Sequence, residues 1–286
     1  WANVLREAKI EEEDAGGSSR RTSDSTYFAI EEPELFLHPH AQRQLATALR
    51  DLASAPQHQV FICTHSTHFV NLDYYKDIVN CYKKDGKSGT QVRQCALELF
   101  EGEGAKDKKD RFHMATWINP DRGELFFARK VVLVEGETEK TILPFVANKL
   151  GCFDPDVSVI DCGSKFNLHL YIAVLNAFKI PYCVVHDEDP LPDPIPAEWT
   201  ADKVKAHKRT FAENAVIVRS LDKNIGGIEM LAPDFEGISG VSHSQAEKKG
   251  KPIAALDYFQ SLPKDSIPAR LVKVVREAYR LTTPSA

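Results

Sequence analysis

The 286-residue sequence contains no GxxxxGK(S/T) loop, so it lacks the glycine-rich backbone with which that motif cradles nucleotide phosphates. It contains no CxxC pair, which leaves no zinc ribbon or redox disulfide to be read from spacing. The six cysteines (Cys63, Cys81, Cys95, Cys152, Cys162, Cys183) are scattered and are expected as reduced, buried thiols. No run approaches the roughly 20 apolar residues of a membrane helix. The amino terminus has neither Met nor a basic-apolar-small signal pattern, and WANVLREAKIEEE opens as if inside a helix. These features predict a soluble, cytoplasmic fragment whose upstream part is missing. A net charge of −5 argues against a surface coated throughout for nucleic acid but leaves room for local basic patches.

A hydrophobic content of 43% over this length suffices for two cores, and the pattern along the chain divides accordingly. After a polar Gly/Ser stretch (14 to 25), STYFAIEEPELFLHPH begins an apolar strand, a loop and an amphipathic helix, and a second apolar strand follows at 59 to 63. This is a βαβ unit. DIVNCYKK and TQVRQCALEL around a turn at 85 to 89 predict a hairpin, and EGEGAKDKKDR a solvated loop. From residue 130 the pattern restarts as strand (130 to 135), helix (138 to 150), strand (157 to 161), helix (167 to 178) and strand (182 to 186), a second parallel α/β domain. A proline-rich loop (190 to 196), a helix around 200 to 213, a strand at AVIVRSL and a helical tail after 250 complete it.

Two of these strands end in acid groups, VVLVEGETEK at 131 to 140 and YCVVHDEDP at 182 to 190. The carboxyl edge of a parallel sheet is where open α/β folds keep their chemistry. Gly136 permits a tight turn after Glu135, and Glu139 follows one helical turn later, so both can face one point. Asp187 and Asp189 alternate to one face, and adjacent strands would bring all four carboxylates together. Such a cluster demands cations, and hard oxygen donors favour Mg²⁺ or Mn²⁺.

A Glu-Gly after an apolar strand, followed by Asp-x-Asp after a later one, resembles the Toprim domain of topoisomerases, primases and certain nucleases. The resemblance covers roughly 129 to 230 and implies that Glu135 handles metal or a proton and that Asp187 and Asp189 ligate metal. Glu139 and the preceding LFFARKVVLVEG look like the OLD (overcoming lysogenization defect) endonucleases, which fuse an ABC-type ATPase to Toprim, cut DNA with two metal ions and imply a phage-defence role. The family's additional acid is matched by Glu229 in GGIEML, and its late lysine by Lys251 in EKKGKP, ahead of Lys248 and Lys249. Gly163, Ser164 and Lys165 in CGSKFN stand where a helix N-terminus could hold phosphate, with Asn167 as the bland capping alternative. Basic residues at Lys203, Lys205, His207, Lys208 and Arg209, and at Arg270, Lys273, Arg276 and Arg280, could touch a DNA backbone or merely solubilise two helices.

FAIEEPELFLHP resembles the Walker B and D-loop region of SMC-like ABC ATPases, which implies Glu31 as the magnesium-side acid and Glu32 as the catalytic acid. CTHS places His65 at the switch-histidine position. The resemblance therefore implies residues 1–126 as the C-terminal part of an ABC/SMC-like ATPase domain and 127–286 as a Toprim nuclease domain with a C-terminal helical segment. The expected cofactors are two Mg²⁺ or Mn²⁺ ions, with ATP in the full-length protein. The expected partners are DNA and a second copy joined through the ATPase half. ATP hydrolysis is not expected from this chain alone. Two other readings compete: a non-enzymatic SMC-like module that binds DNA or a partner, and a Toprim topoisomerase or primase. A topoisomerase needs a nucleophilic tyrosine, yet Tyr171 and Tyr182 lie on apparent core elements.

Overall fold

The computed structural model describes residues 26–83, 87, 89–99, 106, 110, 120–242 and 250–281. The opening helix, the Gly/Ser stretch, most of the 85 to 89 turn and of the 101 to 111 run, and Lys248 and Lys249 lie outside the described residues. The chain divides into two compact units, 1–71 and 72–286.

In the first unit, β1 (Thr26–Glu31), α1 (Pro39–Ala53) and β2 (His58–Cys63) form the expected βαβ unit. β1 and β2 pair in parallel, from Thr26 opposite His58 to Glu31 opposite Cys63. Ile30, Leu45 and Leu49 form its core, with Phe28, Val60 and Phe69 packed around them. Pro39 stands in the first turn of α1, where its missing N–H costs nothing.

The second unit begins with an antiparallel hairpin, β3 (Val79–Tyr82) and β4 (Gln91–Gln94). A 3-10 turn at Pro120–Phe126 then leads to β5 (Lys130–Val134), α2 (Glu137–Leu150), β6 (Val157–Asp161), α3 (Leu168–Ala177) and β7 (Tyr182–Asp187). There follow α4 (Ala201–Ser220), β8 (Gly226–Leu231), α5 (Phe235–Ser239), α6 (Lys251–Ser261) and α7 (Ala269–Tyr279). The four-stranded sheet has the order β6-β5-β7-β8 and is parallel throughout, so the two acid-terminated strands β5 and β7 are neighbours at its centre. Their near-continuous apolar runs are what a strand buried on both faces requires. On one face Val132, Val134, Cys183 and Val185 pack against Ile142 and Val146 of α2, Phe259 of α6 and Leu271 and Val275 of α7. α3 lies against β5 and α4.

AVIVRSL, expected as a strand, forms the last turns of the 20-residue α4. Its branched residues follow the helical period, with Ile217 buried and Val218 exposed, and packing of that one face outweighs their modest β preference. The fourth strand is instead GGIEML, so Glu229 stands within β8 and not beyond it. All six cysteines are free as expected, although Cys63 and Cys81 are exposed. Among the described residues no helix is long and apolar enough to cross a membrane.

Two lysines, Lys130 buried and Lys149 half-buried, close the helical layer. Lys149 Nζ donates to the carbonyls of Phe259 (2.7 Å) and Leu262 at the end of α6. Lys130 Nζ donates to Glu277 and Arg280 at the end of α7, at 2.8 and 2.7 Å. Burial pushes the Lys130 ammonium below its ordinary pKa, and it stays useful by filling orphan carbonyls at a helix C-terminus. Lys130→Met is expected to destabilise the chain by about 1–3 kcal/mol, read as a lower midpoint in urea unfolding; an unchanged midpoint would refute this role.

Candidate metal and phosphodiester site

The carboxyl ends of β5 and β7 hold Glu135 and Asp187 side by side. Glu135 Oε1 accepts a hydrogen bond from the Asp187 backbone N–H at 2.9 Å. Asp187 Oδ1 accepts from the Phe235 N–H at 2.8 Å, which ties β7 to the start of α5. Burial raises the Glu135 carboxyl to about 7, and Asp189 and Glu139 add to the rise. Asp187 is pushed to about 8, first by burial and then by repulsion from Glu139, Glu135, Asp189 and Asp234. Glu139, on the first turn of α2 and only 8% exposed, is likewise raised by burial, with Glu236 as its nearest like charge.

Two ammonium groups face these acids. Lys165, 3% exposed, reaches from the end of β6 under the β7 edge, donating to the Asp187 carbonyl (2.5 Å), the Glu188 carbonyl (3.4 Å) and Asp189 Oδ2 (2.9 Å). Lys165 is thus an internal counter-ion, and its ammonium is turned away from any phosphate that the CGSKFN turn was expected to hold. Ser164 caps that turn by accepting from the Phe166 N–H, whereas the Asn167 side chain donates to the Cys162 carbonyl. Lys251, at the start of α6, pairs with Glu236 Oε1 at 2.8 Å. Burial lowers its pKa, but Glu236, Asp187 and Glu139 outweigh this and hold it above its ordinary value. Lys251 therefore stands beside the acids.

Sequence reasoning missed Asp234 and Glu236. Asp234 caps α5 by accepting from the Gly237 N–H at 2.6 Å and adds its charge to Asp187. Glu236 is buried between Lys251 and Glu139. The available signal was PDFEG directly after the fourth strand, hidden once that strand was placed one element early. Glu229, the acid expected instead, lies opposite Val185, two positions short of Asp187 along the sheet. Its Oε2 accepts from Arg270 Nη1 at 2.8 Å while Arg270 Nη2 holds the Met230 carbonyl, so it is neutralised by α7 and not gathered into the cluster.

Glu135, Glu139, Asp187, Asp189, Asp234 and Glu236 thus share a neighbourhood with Lys165 and Lys251. An excess of buried and half-buried hard-oxygen donors over ammonium groups suits divalent cations, which would remove the repulsion that raises the two pKa values. In this arrangement protein donors occupy part of the lone-pair capacity. Among the described residues no three His, Cys, Asp or Glu side chains are gathered into a ligand set.

In the first unit, Glu34 rather than Glu31 or Glu32 joins the two strand ends, accepting from Thr64 Oγ1 (2.7 Å) and from the His65 N–H (2.9 Å). His65 Nε2 lies 3.4 Å from Glu32 Oε1. Glu34 holds the Glu32 carboxyl above its usual range, and Glu32 sits at φ 46°, in the left-handed region. Glu31 closes β1 and is exposed. Three acids and a histidine therefore meet at this edge, and the fourth residue of EEPE was the one not singled out.

Comparison with known proteins places both halves. Residues 126–189 match the family model for the TOPRIM domain of overcoming lysogenization defect protein-like proteins, and residues 5–70 match an AAA ATPase domain model. The OLD nuclease of Thermus scotoductus is 28% identical over 260 residues, covering 89% of this chain and 48% of that protein. The Old nuclease of Escherichia phage P2 is 27% identical over 60% of this chain and 29% of its own length. Endonuclease GajA of Bacillus cereus is 27% identical over 56% of this chain and 26% of its own length. The chain thus spans at most about half the length of these relatives. Among solved structures, the C-terminal region of the Xanthomonas campestris pv. campestris OLD protein is 20% identical, with 55% of this chain and 94% of that one covered and a TM-score of 0.34. The resemblance to OLD-family proteins read from the sequence is therefore found again in the TOPRIM family model and in these curated relatives, and the ATPase resemblance in the AAA model.

Proposed function

We propose that this chain is part of an OLD-type, metal-dependent DNA endonuclease. In this reading 1–126 belongs to the ATPase part and 127–286 to the Toprim part, supported by a TOPRIM match that begins at 126. The observation that carries it is the pair Glu135 and Asp187 on adjacent strand ends, half-buried, hydrogen-bonded and crowded by further acids. Glu135, Glu139, Asp187 and Asp189 would hold two Mg²⁺ or Mn²⁺ ions, with Asp234 and Glu236 as added ligands in place of Glu229. Bound there, the ions would polarise the phosphodiester and lower the pKa of an attacking water. The chain's own groups do the rest. Glu135, held by the Asp187 N–H at the edge of the sheet, would ligate metal or take a proton from the attacking water. Lys251 offers a cation to the phosphate. Lys165 keeps Asp187 and Asp189 in place through three hydrogen bonds. Tyr171 and Tyr182 are buried in the core, which disfavours a topoisomerase nucleophile at either.

Supercoiled plasmid incubated with the chain and Mg²⁺ or Mn²⁺ is expected to give nicked and linear products, and none in EDTA. Relaxed closed circles would favour strand passage, and intact plasmid under both metals would refute the nuclease. Glu31, Glu32 and His65 are assigned to ATP and magnesium in the complete ATPase, which we place in the cytoplasm as a homodimer joined through that half. Because no GxxxxGK(S/T) loop occurs, phosphate release from millimolar ATP by this chain is expected to stay at background. Robust release in a colorimetric phosphate assay would overturn that assignment.

A further inference from the structure

Two basic helices flank the second unit, and the structure treats their cations differently. Of the cations on and just after α7, Arg270 is committed to Glu229 and Met230 and Arg280 lies 3.7 Å from Glu277, while Lys273 and Arg276 are exposed but on a helix not tied by hydrogen bonds, among the described residues, to the segment carrying Asp187 and Asp189. On α4, Lys203, Lys205, Lys208 and Arg209 are all exposed, and among the described residues none of the four has a carboxylate partner. Two of them are instead braced against aromatic rings, Lys203 Nζ at 4.5 Å from the Trp199 centroid and Arg209 Cζ at 4.9 Å from that of Phe166. Such contacts hold a side chain in place without neutralising it.

This unpaired charge also adjoins the acid cluster. Asn214 of α4 donates to the Glu188 carbonyl at 2.8 Å, and His207 Nε2 donates to the Pro190 carbonyl at 3.0 Å. α4 is thereby tied to the segment that carries Asp187 and Asp189. Phe166, under Arg209, directly follows Lys165, whose ammonium holds Asp189. Unneutralised cations beside a cluster of acids, in a chain of net charge −5, offer a surface to an anionic ligand, and the acids admit that ligand only where they hold metal ions.

We propose that the exposed face of α4 formed by Lys205, Lys208 and Arg209 is the track on which the phosphate backbone of duplex DNA lies as it enters the acid cluster. Positions 205, 208 and 209 share a helix face. The stretch 205 to 209 is about 6 Å long at 1.5 Å per residue, enough to follow roughly two phosphates of one strand at 3.4 Å of duplex axis each. The cations set position and affinity and carry no sequence information. This inference rests on the nuclease reading for the identity of the ligand.

The test separates the two. Binding of a fluorescently labelled duplex is measured by anisotropy in EDTA over a salt series. Hydrolysis of bis(p-nitrophenyl) phosphate, too small to reach α4, is measured with Mn²⁺. The variant Lys205→Gln/Lys208→Gln/Arg209→Gln is expected to bind the duplex at least about tenfold more weakly at 0.1 M salt, with the log–log salt slope reduced by about 2–3. It should hydrolyse the small diester like the parent. The matched variant Lys273→Gln/Arg276→Gln on α7 is expected to bind like the parent. Parental affinity and slope in the α4 variant, or an equal loss in the α7 variant, would overturn the track. Selective loss of duplex binding in the α4 variant, with no diester hydrolysis by any protein, would uphold the track and sink the nuclease reading.

Discussion

Glu135→Gln is expected to slow metal-dependent DNA cleavage by about three orders of magnitude, and Asp187→Asn by a similar factor, because metal-held charge stabilisation supplies several kcal/mol at about 1.4 kcal/mol per decade. Both substitutions keep the volume and an oxygen acceptor. The amide oxygen introduced by Glu135→Gln could still accept from the Asp187 N–H, as the carboxylate does, and the one introduced by Asp187→Asn could still accept from the Phe235 N–H. What is lost is the negative charge that holds a cation. The measurement is the first-order loss of supercoiled plasmid under excess enzyme, with folding checked by far-UV circular dichroism. Cleavage within tenfold of the parent in either variant would sink the site assignment. Glu229→Gln is expected to behave differently, lowering stability by releasing Arg270 while the folded protein cuts near the parental rate.

The second large effect is on stability, and its sign follows from the direction of the pKa shifts. Glu135 goes from 4.5 to about 7 and Asp187 from 3.8 to about 8 on folding, so the folded chain binds protons more tightly than the unfolded one. The penalty is absent below the unfolded values, near pH 4, grows as pH rises and is complete above about pH 8. The two acids repel each other, so their costs do not simply add. Metal-free protein is expected to be more stable at pH 6 than at pH 8 by about 2–4 kcal/mol. His186 works in the opposite direction below this window: burial holds it at about 4, so stability is lost as pH falls from 6.5 towards 4. Saturating Mg²⁺ or Mn²⁺ replaces the protons, so the metal-induced rise in Tm should be larger at pH 8 than at pH 6. Scanning calorimetry in EDTA and in metal reads both. A metal-free Tm that climbs from pH 6 to pH 8, or a Tm indifferent to metal, would show that these carboxylates are not held as described.

The same geometry explains which parts could be read early. An apolar run ending in Glu-Gly, a second ending in Asp-x-Asp and a third ending in Thr-His-Ser are local patterns. Parallel strands must end somewhere, and residues just past that point face the carboxyl edge whatever else the chain does. Hence Glu135, Glu139, Asp187 and His65 were legible, and so was the α/β character of both units. AVIVRSL was misread for the converse reason. A short branched run fits strand or helix equally well, and only the burial of Ile217 on one helical face decided it.

The sequence by itself determined which acids end the two central strands, because that property resides in residues next to one another. Tertiary structure alone decided the rest. The alignment of β8 beside β7 set Glu229 two positions short of the edge, where Arg270, 41 residues away, takes its charge. The packing of α6 across α2 brought Lys251 to Glu236 and both to Glu139. Lys165 became a buried counter-ion 24 residues from Asp189 because the sheet order sets β6 and β7 on either side of β5. Charges distant in sequence find one another through strand register and helix packing, and no local pattern encodes that meeting.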